Sequence, residues 1–317
     1  MYNILILDDV HENCLKLFES YNCKVIHLRK YTKDTILLKV GLEEIDAIVY
    51  RLFTTTIDEE ILTKAKKLRC IVRTGGGHGN IDLKVAEDSN IVIMDTIRCN
   101  SFSAAEFIFA SILTLARKIM VGDRLFRSGI FAREDLWGME LANKTLGIIG
   151  FGAIGKNLSN MANAFGMKVI SYSLHITKDE EETYSMKGVN LDELFSTSDF
   201  ISIAFPGTRD YIGWINKEKI VLMKHGVYLI NATSMALFNY EDVAEALKKG
   251  KIGGIVIDRP AFNPAIEKNI LMDAPNVIFS PTLGSHTHEG QTRCAEQAVN
   301  QVLEYLSKGV ITNQIIR

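Results

Sequence analysis

Short runs of apolar residues alternate with stretches of helical periodicity along the first third of the chain. The apolar runs cover residues 3–8, 24–28, 46–51, 70–74 and 91–95, and apolar residues recur every three or four positions between them. Runs of this length between helical segments are typical of buried parallel strands joined by crossover helices. The pattern predicts a small parallel α/β domain with a flavodoxin-like layout.

The pattern changes after Asn100. Residues 101–120 have the apolar periodicity of one long helix, and residues 122–144 are irregular. Strand-like runs alternating with helical segments then resume, and they cover residues 146–149, 168–172, 199–205, 226–232, 251–258 and 276–281. A final helix is predicted over residues 289–308, and the tail after it is predicted to return to the first domain as a strand.

A glycine-rich turn lies where the first of these later strands meets a helical pattern. Gly150, Gly152 and Gly155 have the spacing G-x-G-x-x-G, and Gly166 is placed to close the helix as a C-cap. In such a strand–turn–helix unit the first glycine permits the tight turn. The second lets the backbone approach a pyrophosphate, and the third lets helix and strand pack closely.

The first turn of the same helix includes Ala153 and Ile154. Free N–H groups and the helix dipole favour an anion at a helix N-terminus. The segment from Thr145 to Gly166 therefore predicts a dinucleotide-binding site, with a merely structural glycine turn as the alternative.

Composition excludes several classes of function. The chain has 317 residues, 47% of them hydrophobic, and a net charge of −2, so nothing indicates binding to nucleic acid or anionic lipid. No apolar run approaches the length of a membrane span, and the N-terminus reads as a strand instead of a signal peptide. The five cysteines are scattered and form no C-x-x-C pair, which predicts a cytoplasmic protein with reduced thiols and no metal site.

Several motifs together resemble the D-2-hydroxyacid dehydrogenase family, which includes phosphoglycerate dehydrogenases. The resemblance covers nearly the whole chain and is more specific than the glycine turn alone. The motifs are RTGGGHGNIDL (73–83), FSAAEFIFASILTLAR (102–117), ELANKTLGIIGFGAIGK (140–156), LINAT (229–233), GGIVID (253–258) and PTLGSHTHEGQ (281–291).

The resemblance implies two Rossmann-like or flavodoxin-like doubly wound α/β domains with an interdomain cleft. Residues 1–100 and 286–317 would form the substrate domain, and residues 101–285 would form the dinucleotide-binding domain. Family members are usually dimers joined through the cofactor domain, so we expect a homodimer. The glycine loop with Gly76, Gly77 and His78, together with Arg98, would line the substrate side of the cleft.

The family's chemistry uses an arginine that clamps the substrate carboxylate, a histidine that exchanges the hydroxyl proton, and a glutamate that supports this histidine. The matching positions here carry Ser234, Thr282 and Asn263 respectively. Threonine does not exchange a proton near pH 7. The resemblance thus predicts a family member whose catalytic set is replaced.

Other groups are candidates to take over part of this chemistry. His286 follows the substituted histidine position and is a candidate hydrogen-bond donor or base, with a surface or hinge role as the alternative. His78 is a candidate for substrate contact. Arg98 and Arg73 are candidates for binding an anion, and a salt bridge between domains is the alternative for both. Asp258 matches the family aspartate that contacts the nicotinamide amide.

The cofactor is predicted to be NAD or NADP. Pro206 and Thr208 match the family's cofactor loop. The family places an aspartate at the end of the second strand of this domain, where it binds the adenosine ribose, and Ser173 takes that place here. A neutral serine does not repel a 2′-phosphate, and His175 and Lys178 follow it, which gives a slight preference for NADP. The charged run over residues 178–182 is expected to be a solvated loop.

Two functions from different classes remain open. The first is an NAD(P)-dependent oxidoreductase with a non-standard active site that acts on a small molecule other than an ordinary 2-hydroxy acid. The second is a catalytically silent dinucleotide-binding pseudoenzyme that senses an effector or serves as a scaffold. Ordinary 2-hydroxyacid dehydrogenase activity despite the substitutions is a third interpretation.

Overall fold

The computed structural model describes residues 1–51, 56–76, 80–96, 98–205, 211–232, 237–258 and 268–315. The chain divides into two compact units. The first comprises Met1–Asn100 and Thr287–Arg317, and the second comprises Ser101–His286.

The first unit contains a parallel sheet of five strands in the order β2-β1-β3-β4-β5. The strands are β1 (Asn3–Leu7), β2 (Lys24–Leu28), β3 (Ala47–Tyr50), β4 (Cys70–Arg73) and β5 (Val92–Asp95). The helices before residue 100 are α1 (Glu12–Ser20), α2 (Lys33–Leu42), α3 (Glu59–Lys64) and α4 (Leu83–Asp88). All four residues of β3 and of β4 are buried, as expected for central parallel strands covered by helices on both faces. The strand order is the flavodoxin-like one.

The second unit contains a parallel sheet of seven strands in the order β12-β11-β10-β9-β6-β7-β8. The strands are β6 (Thr145–Ile149), β7 (Lys168–Tyr172), β8 (Met186–Gly188), β9 (Phe200–Ile203), β10 (Val227–Asn231), β11 (Ile252–Ile257) and β12 (Val277–Phe279). The helices are α5 (Ser101–Ala116), α6 (Ile119–Arg127), α7 (Ala153–Ala164), α8 (Lys178–Thr183), α9 (Leu191–Thr197), α10 (Lys217–Leu222) and α11 (Tyr240–Lys248). Short 3₁₀ turns cover Arg133–Asp135 and Ile270–Asp273. The strand order reverses between β6 and β9, which is the switch point where doubly wound sheets bind their ligands.

The last helix, α12 (His288–Lys308), belongs to the first unit and packs its buried alanines and valines against the sheet. The chain after it returns to this sheet, where Gln314 pairs antiparallel with Met94 and the Ile315 N–H donates to the Ile93 carbonyl at 2.8 Å. This return was predicted for the tail and is observed. The prediction of two doubly wound parallel α/β domains is confirmed.

The prediction of a single long helix over residues 101–120 is wrong. The structure forms two helices there, α5 and α6, because Lys118 between them has a left-handed backbone with φ of 51°. Part of the segment predicted to be irregular is therefore helical.

The prediction of a solvated loop over residues 178–182 is also wrong, because this segment forms α8. The Thr177 side chain accepts from the Glu180 N–H, and the Glu180 side chain accepts from the Thr177 N–H. This reciprocal capping, with acidic residues in the first turn, stabilises a helix that has no apolar face.

Candidate active site

The glycine turn between β6 and α7 requires glycine at its first position. Gly150 has φ of +97° and its N–H donates to the Tyr172 carbonyl at 2.8 Å, which ties the turn to the end of β7. A Cβ at this position would lie 2.9 Å from Phe205 Cβ and 3.0 Å from the Ala204 carbonyl oxygen. Both the backbone angle and the lack of space exclude a larger residue.

The other two glycines have opposite surroundings. A Cβ at Gly155 would lie 2.7 Å from the Gly150 carbonyl oxygen, so this glycine allows the helix to pack closely against the turn. A Cβ at Gly152 would meet no heavy atom within 4 Å among the described residues. The space in front of Gly152 is therefore open, in contrast to the space at the two other positions.

The N-terminus of α7 also lacks a side-chain cap. Gly152 is the N-cap residue, and as a glycine it has no side chain to accept a hydrogen bond from the first turn, which contains Ala153 and Ile154. In the same unit, by contrast, α9 and α11 are capped by Asn190 and Asn239. Backbone N–H groups without a side-chain cap, beside open space, fit the pyrophosphate of a dinucleotide.

The ribose end of the predicted site lies at a surface groove of about 450 Å³ beside Ser173. Lys178 and Glu181 line the same groove. Glu181 accepts from the Gly188 N–H at 2.6 Å, and the neighbouring Glu180 forms an ion pair with Lys156 at 2.7 Å. Two of the acidic side chains of this segment are thus engaged within the protein.

Asp258 at the end of β11 fixes the segment that follows β12. Its buried carboxylate accepts from the Ser280 hydroxyl, from the Leu283 N–H at 2.7 Å and from the Gly284 N–H at 2.9 Å. A Cβ at Gly284 would lie 2.8 Å from Asp258 Oδ2, so the segment lies directly against the carboxylate. The predicted contact of Asp258 with the nicotinamide amide remains a prediction, and its observed partners belong to the chain itself.

Thr282 lies within this anchored segment and has a strained backbone. Its φ is 64°, a left-handed value that is rare for a β-branched residue, and its N–H donates to the Asp258 carbonyl at 2.6 Å. The side chain is exposed. The structure thus brings two of the predicted residues, Asp258 and Thr282, into direct contact. His286 is exposed and lies at the end of the same segment, where its N–H donates to the Leu283 carbonyl at 2.8 Å.

In the first unit, the loop after β4 is tied to the end of β5. The Gly75 N–H donates to the Thr96 hydroxyl at 2.8 Å, and the Thr96 N–H donates to the Arg73 carbonyl at 3.1 Å. Gly76 is partly exposed in this loop, Arg73 is buried and Arg98 is exposed. The arrangement places the predicted loop at the carboxyl ends of the strands, where open α/β sheets bind ligands.

Several predicted positions lie outside the described residues: Gly77, His78, Pro206, Thr208, Ser234 and Asn263. Sequence reasoning missed Ser280 and Gly284, whose contacts with Asp258 depend on the pairing of β11 with β12. Among the described residues, no group of three or more His, Cys, Asp or Glu side chains is arranged to hold a metal ion. Within that same part of the chain, every helix is too short or too polar to cross a bilayer.

Comparison with known proteins places this geometry in a family. Residues 109–284 match the NAD-binding domain of the D-isomer specific 2-hydroxyacid dehydrogenases. The glyoxylate reductase of Thermococcus litoralis is 32% identical over 325 residues, with 99% of this chain and 96% of the reductase covered. Human D-3-phosphoglycerate dehydrogenase is 28% identical over 312 residues, and the match covers 98% of this chain but only 58% of the human protein.

A crystal structure of a protein from Thermus thermophilus superimposes with a TM-score of 0.88 at 26% identity, covering 99% of this chain and 100% of that one. The match thus extends over both α/β units and not only over the NAD-binding domain. The chain belongs to the D-isomer specific 2-hydroxyacid dehydrogenase family.

Proposed function

We propose that this protein is an NAD(P)-dependent oxidoreductase with a non-standard active site, acting on a small hydroxy or carbonyl compound other than an ordinary 2-hydroxy acid. One observation carries the proposal. The second unit keeps an open, uncapped cradle at Gly152, while its anchored segment carries Thr282 where the family has the proton-exchanging histidine.

Gly150, Gly152 and Gly155, with the first turn of α7, would hold the pyrophosphate of the cofactor. When bound, the nicotinamide ring supplies or accepts a hydride. Asp258 holds the segment that contains Thr282 in one conformation, and it does so with both carboxylate oxygens. Pro206 and Thr208 are proposed to contribute to the cofactor site through their match to the family motif.

The Thr282 hydroxyl is able to donate and accept hydrogen bonds but does not exchange a proton near pH 7. General acid–base catalysis contributes about 10²–10⁴-fold to a rate, so turnover of ordinary 2-oxo acids should be lower by about that factor.

Ser234 in place of arginine removes the bidentate partner of a carboxylate, and Asn263 removes the supporting glutamate. Together these substitutions favour a substrate recognised without a carboxylate clamp. His286 and His78 remain candidates for the proton transfer, and Arg98 for substrate binding.

NADP is the cofactor we favour slightly over NAD. Ser173 carries no charge that would repel a 2′-phosphate, and Lys178 lines the same groove. The negative charges of Glu180 and Glu181 disfavour a 2′-phosphate only weakly. Glu180 already forms an ion pair with Lys156, and Glu181 already accepts a hydrogen bond from the Gly188 N–H. We expect NADPH to bind more tightly than NADH, by less than about tenfold, since a tenfold ratio corresponds to about 1.4 kcal/mol.

The experiment is a fluorescence titration of the purified chain with NADH and NADPH, followed by an absorbance assay of nicotinamide oxidation. The assay compares a panel of 2-oxo acids with a panel of neutral aldehydes and ketones. We expect saturable binding of both cofactors and turnover confined to the second panel. The Gly152→Ala variant is the control that locates the binding site.

Two outcomes would contradict the proposal in different ways. Rapid turnover of 2-oxo acids would show that the substitutions do not alter the chemistry. Tight cofactor binding without turnover of any compound in either panel would favour the pseudoenzyme, a sensor or scaffold for a small-molecule effector. Thr282 supports the pseudoenzyme as well, because its hydroxyl does not exchange a proton near pH 7.

We further propose that the chain is a homodimer joined through the second unit. Helix α6 has no buried residue, and large apolar side chains on it and on the following segment are exposed. Their exposed fractions are 54% for Ile119, 69% for Phe126, 82% for Phe131 and 80% for Trp137. Apolar surfaces of this kind usually mark contacts with another protein.

Sedimentation velocity of the full chain should give a dimer, and a Phe126→Asp, Trp137→Asp double variant should weaken the dimer by at least about 100-fold, equivalent to about 2.7 kcal/mol. The matched control is Leu42→Asp, which places the same charge on an apolar side chain of the first unit that is 71% exposed. A monomeric wild-type chain, or equal loss of the dimer in the control, would refute the assignment.

The compartment proposed for the protein is the cytoplasm. All five cysteines carry free thiols. Free thiols throughout a chain of this size are typical of a reducing compartment.

A further inference from the structure

Cys99 and Cys294 lie together although they are 195 positions apart in the sequence. The Cys99 N–H donates to the Thr96 carbonyl at 3.1 Å, and the Cys294 thiol contacts the same carbonyl oxygen at 4.0 Å. The Cys99 thiol donates to the side-chain oxygen of Gln297, one turn beyond Cys294 on α12. These contacts place the two sulfur atoms on one small patch.

The loop that carries Cys99 is also held to α12 through its backbone. Arg293 Nε donates to the Cys99 carbonyl at 2.9 Å. Arg293 therefore holds the backbone of Cys99 against the helix and Gln297 holds its side chain, while Cys294 contacts Thr96 in the same loop. This arrangement differs from that of Cys14, Cys23 and Cys70, which are buried in the core of the same unit.

The pair occupies a particular place in the fold. Asn100 is the last residue before the chain leaves the first unit, and Thr287 is the first residue after it returns. Cys99 directly precedes the outgoing connection, and Cys294 lies in the second turn of α12, just after the return connection. A covalent bond between them would tie the outgoing connection to α12.

Both thiols are protonated near neutral pH. Burial, with the neighbouring Cys294 sulfur, raises the pKa of Cys99 to about 11. Burial likewise raises the pKa of Cys294. Since the thiolate is the nucleophile, reaction with an oxidant should be slow at pH 7 and faster at higher pH. Cys99 is partly exposed and Cys294 is buried, so the oxidant meets Cys99 first.

We propose that Cys99 and Cys294 form a reversible disulfide under peroxide, and that this modification site clamps the connection between the two units onto α12. Hydrogen peroxide converts the Cys99 thiol to a sulfenic acid and releases one water. The Cys294 sulfur then attacks the Cys99 sulfur, the S–S bond forms, and the sulfenic oxygen leaves as a second water. Two thiols are oxidised by two electrons and one peroxide is reduced. A dithiol reductant reverses the bond by thiol–disulfide exchange.

The test is oxidation of the full chain by hydrogen peroxide, followed by proteolysis and mass spectrometry without reductant. We expect one cross-linked peptide pair that joins Cys99 to Cys294, with the loss of two hydrogens, and its release by dithiothreitol. The initial rate should rise about tenfold per pH unit between pH 7 and pH 9, because the thiolate fraction of a group with a pKa of about 11 rises by that factor. Hydrogen exchange of the amides at Arg98 and Asn100 should slow at least tenfold in the oxidised protein.

Matched variants separate this pair from general oxidation. Cys99→Ser should abolish the cross-link, and Cys23→Ser, which changes a cysteine in the core of the same unit, should leave it intact. Cys99 is partly exposed, so its substitution is expected to fold, and a thermal melt of both variants verifies this. Oxidation of Cys99 to sulfinic acid without a cross-link, pairing of Cys99 with another cysteine, or unchanged hydrogen exchange after cross-linking would each overturn the proposal.

Discussion

Gly152→Ala is expected to weaken binding of NADH and NADPH by about tenfold to 100-fold, or about 1.4–2.7 kcal/mol, which lies within the range of about 1–3 kcal/mol that an inserted methyl group typically costs in a closely packed contact. The added Cβ meets no described atom in the protein itself and would project into the space in front of the uncapped α7. Gly152 has φ of −85°, which alanine adopts without strain. The methyl group would thus obstruct the pyrophosphate without disturbing the fold.

The free energy of unfolding should change by less than about 0.5 kcal/mol for Gly152→Ala, as for an ordinary surface substitution. Equilibrium unfolding in urea measures this quantity, and the fluorescence titration measures binding. Gly122→Ala is a suitable control, since Gly122 lies in α6 and a Cβ there would be 3.6 Å from Leu136 Cδ1. A Gly152→Ala variant that binds both cofactors as tightly as the wild type would contradict the assignment of the cradle.

Gly150→Ala should behave in the opposite way. Alanine at φ of +97° is strained, and its Cβ would lie 2.9 Å from Phe205 Cβ. Strained backbone and overpacking each cost about 1–3 kcal/mol, so we expect a loss of stability of about 2–6 kcal/mol. The two neighbouring glycines thereby distinguish a residue needed for folding from one needed for binding.

Asp258→Asn is expected to destabilise the second unit by about 2–4 kcal/mol, because buried donors left without an acceptor cost about 1–3 kcal/mol each. The carboxylate accepts from three donors, and an amide offers only one acceptor oxygen. The amide nitrogen would then face a backbone N–H of Leu283 or Gly284. The anchored segment should detach, and urea unfolding together with hydrogen exchange of residues 282–284 measures both effects.

A double-mutant cycle of Asp258→Asn with Ser280→Ala tests whether the Asp258 carboxylate and the Ser280 hydroxyl stabilise the segment through one shared interaction. Ser280→Ala alone removes a single donor and should cost about 1 kcal/mol, and the two changes together should cost less than their sum, since they share an interaction. Asp192→Asn, on the first turn of the exposed face of α9, is the matched control and should be near neutral. A loss below about 0.5 kcal/mol for Asp258→Asn would mean that the segment is held by other contacts.

Dinucleotide binding and catalytic chemistry depend on different parts of the chain in this family. The motif that defines dinucleotide binding depends on local backbone geometry, and the matched region covers it in full. The chemistry depends on side chains at three separated positions, two of which, Ser234 and Asn263, lie outside the described residues. Substrate assays therefore distinguish altered chemistry from ordinary 2-hydroxyacid turnover.

Some features were determined by the sequence alone, because they depend on neighbouring residues. Apolar runs identify the strands, since buried parallel strands need continuous apolar side chains. Gly166 was expected to end α7, and it follows that helix with φ of +71°. The glycine turn could likewise be predicted from the sequence, because the strand, the three glycines and the helix are consecutive in the chain.

Other features were decided only by the tertiary structure, because they join residues that are far apart in the sequence. The left-handed Lys118 that separates α5 from α6 has no local signal such as glycine or proline. Asp258 meets Ser280 and Gly284 only because β11 pairs with β12 in register. Cys99 and Cys294 both contact the Thr96 carbonyl only because α12 belongs to the first unit, and no local pattern in the sequence encodes that juxtaposition.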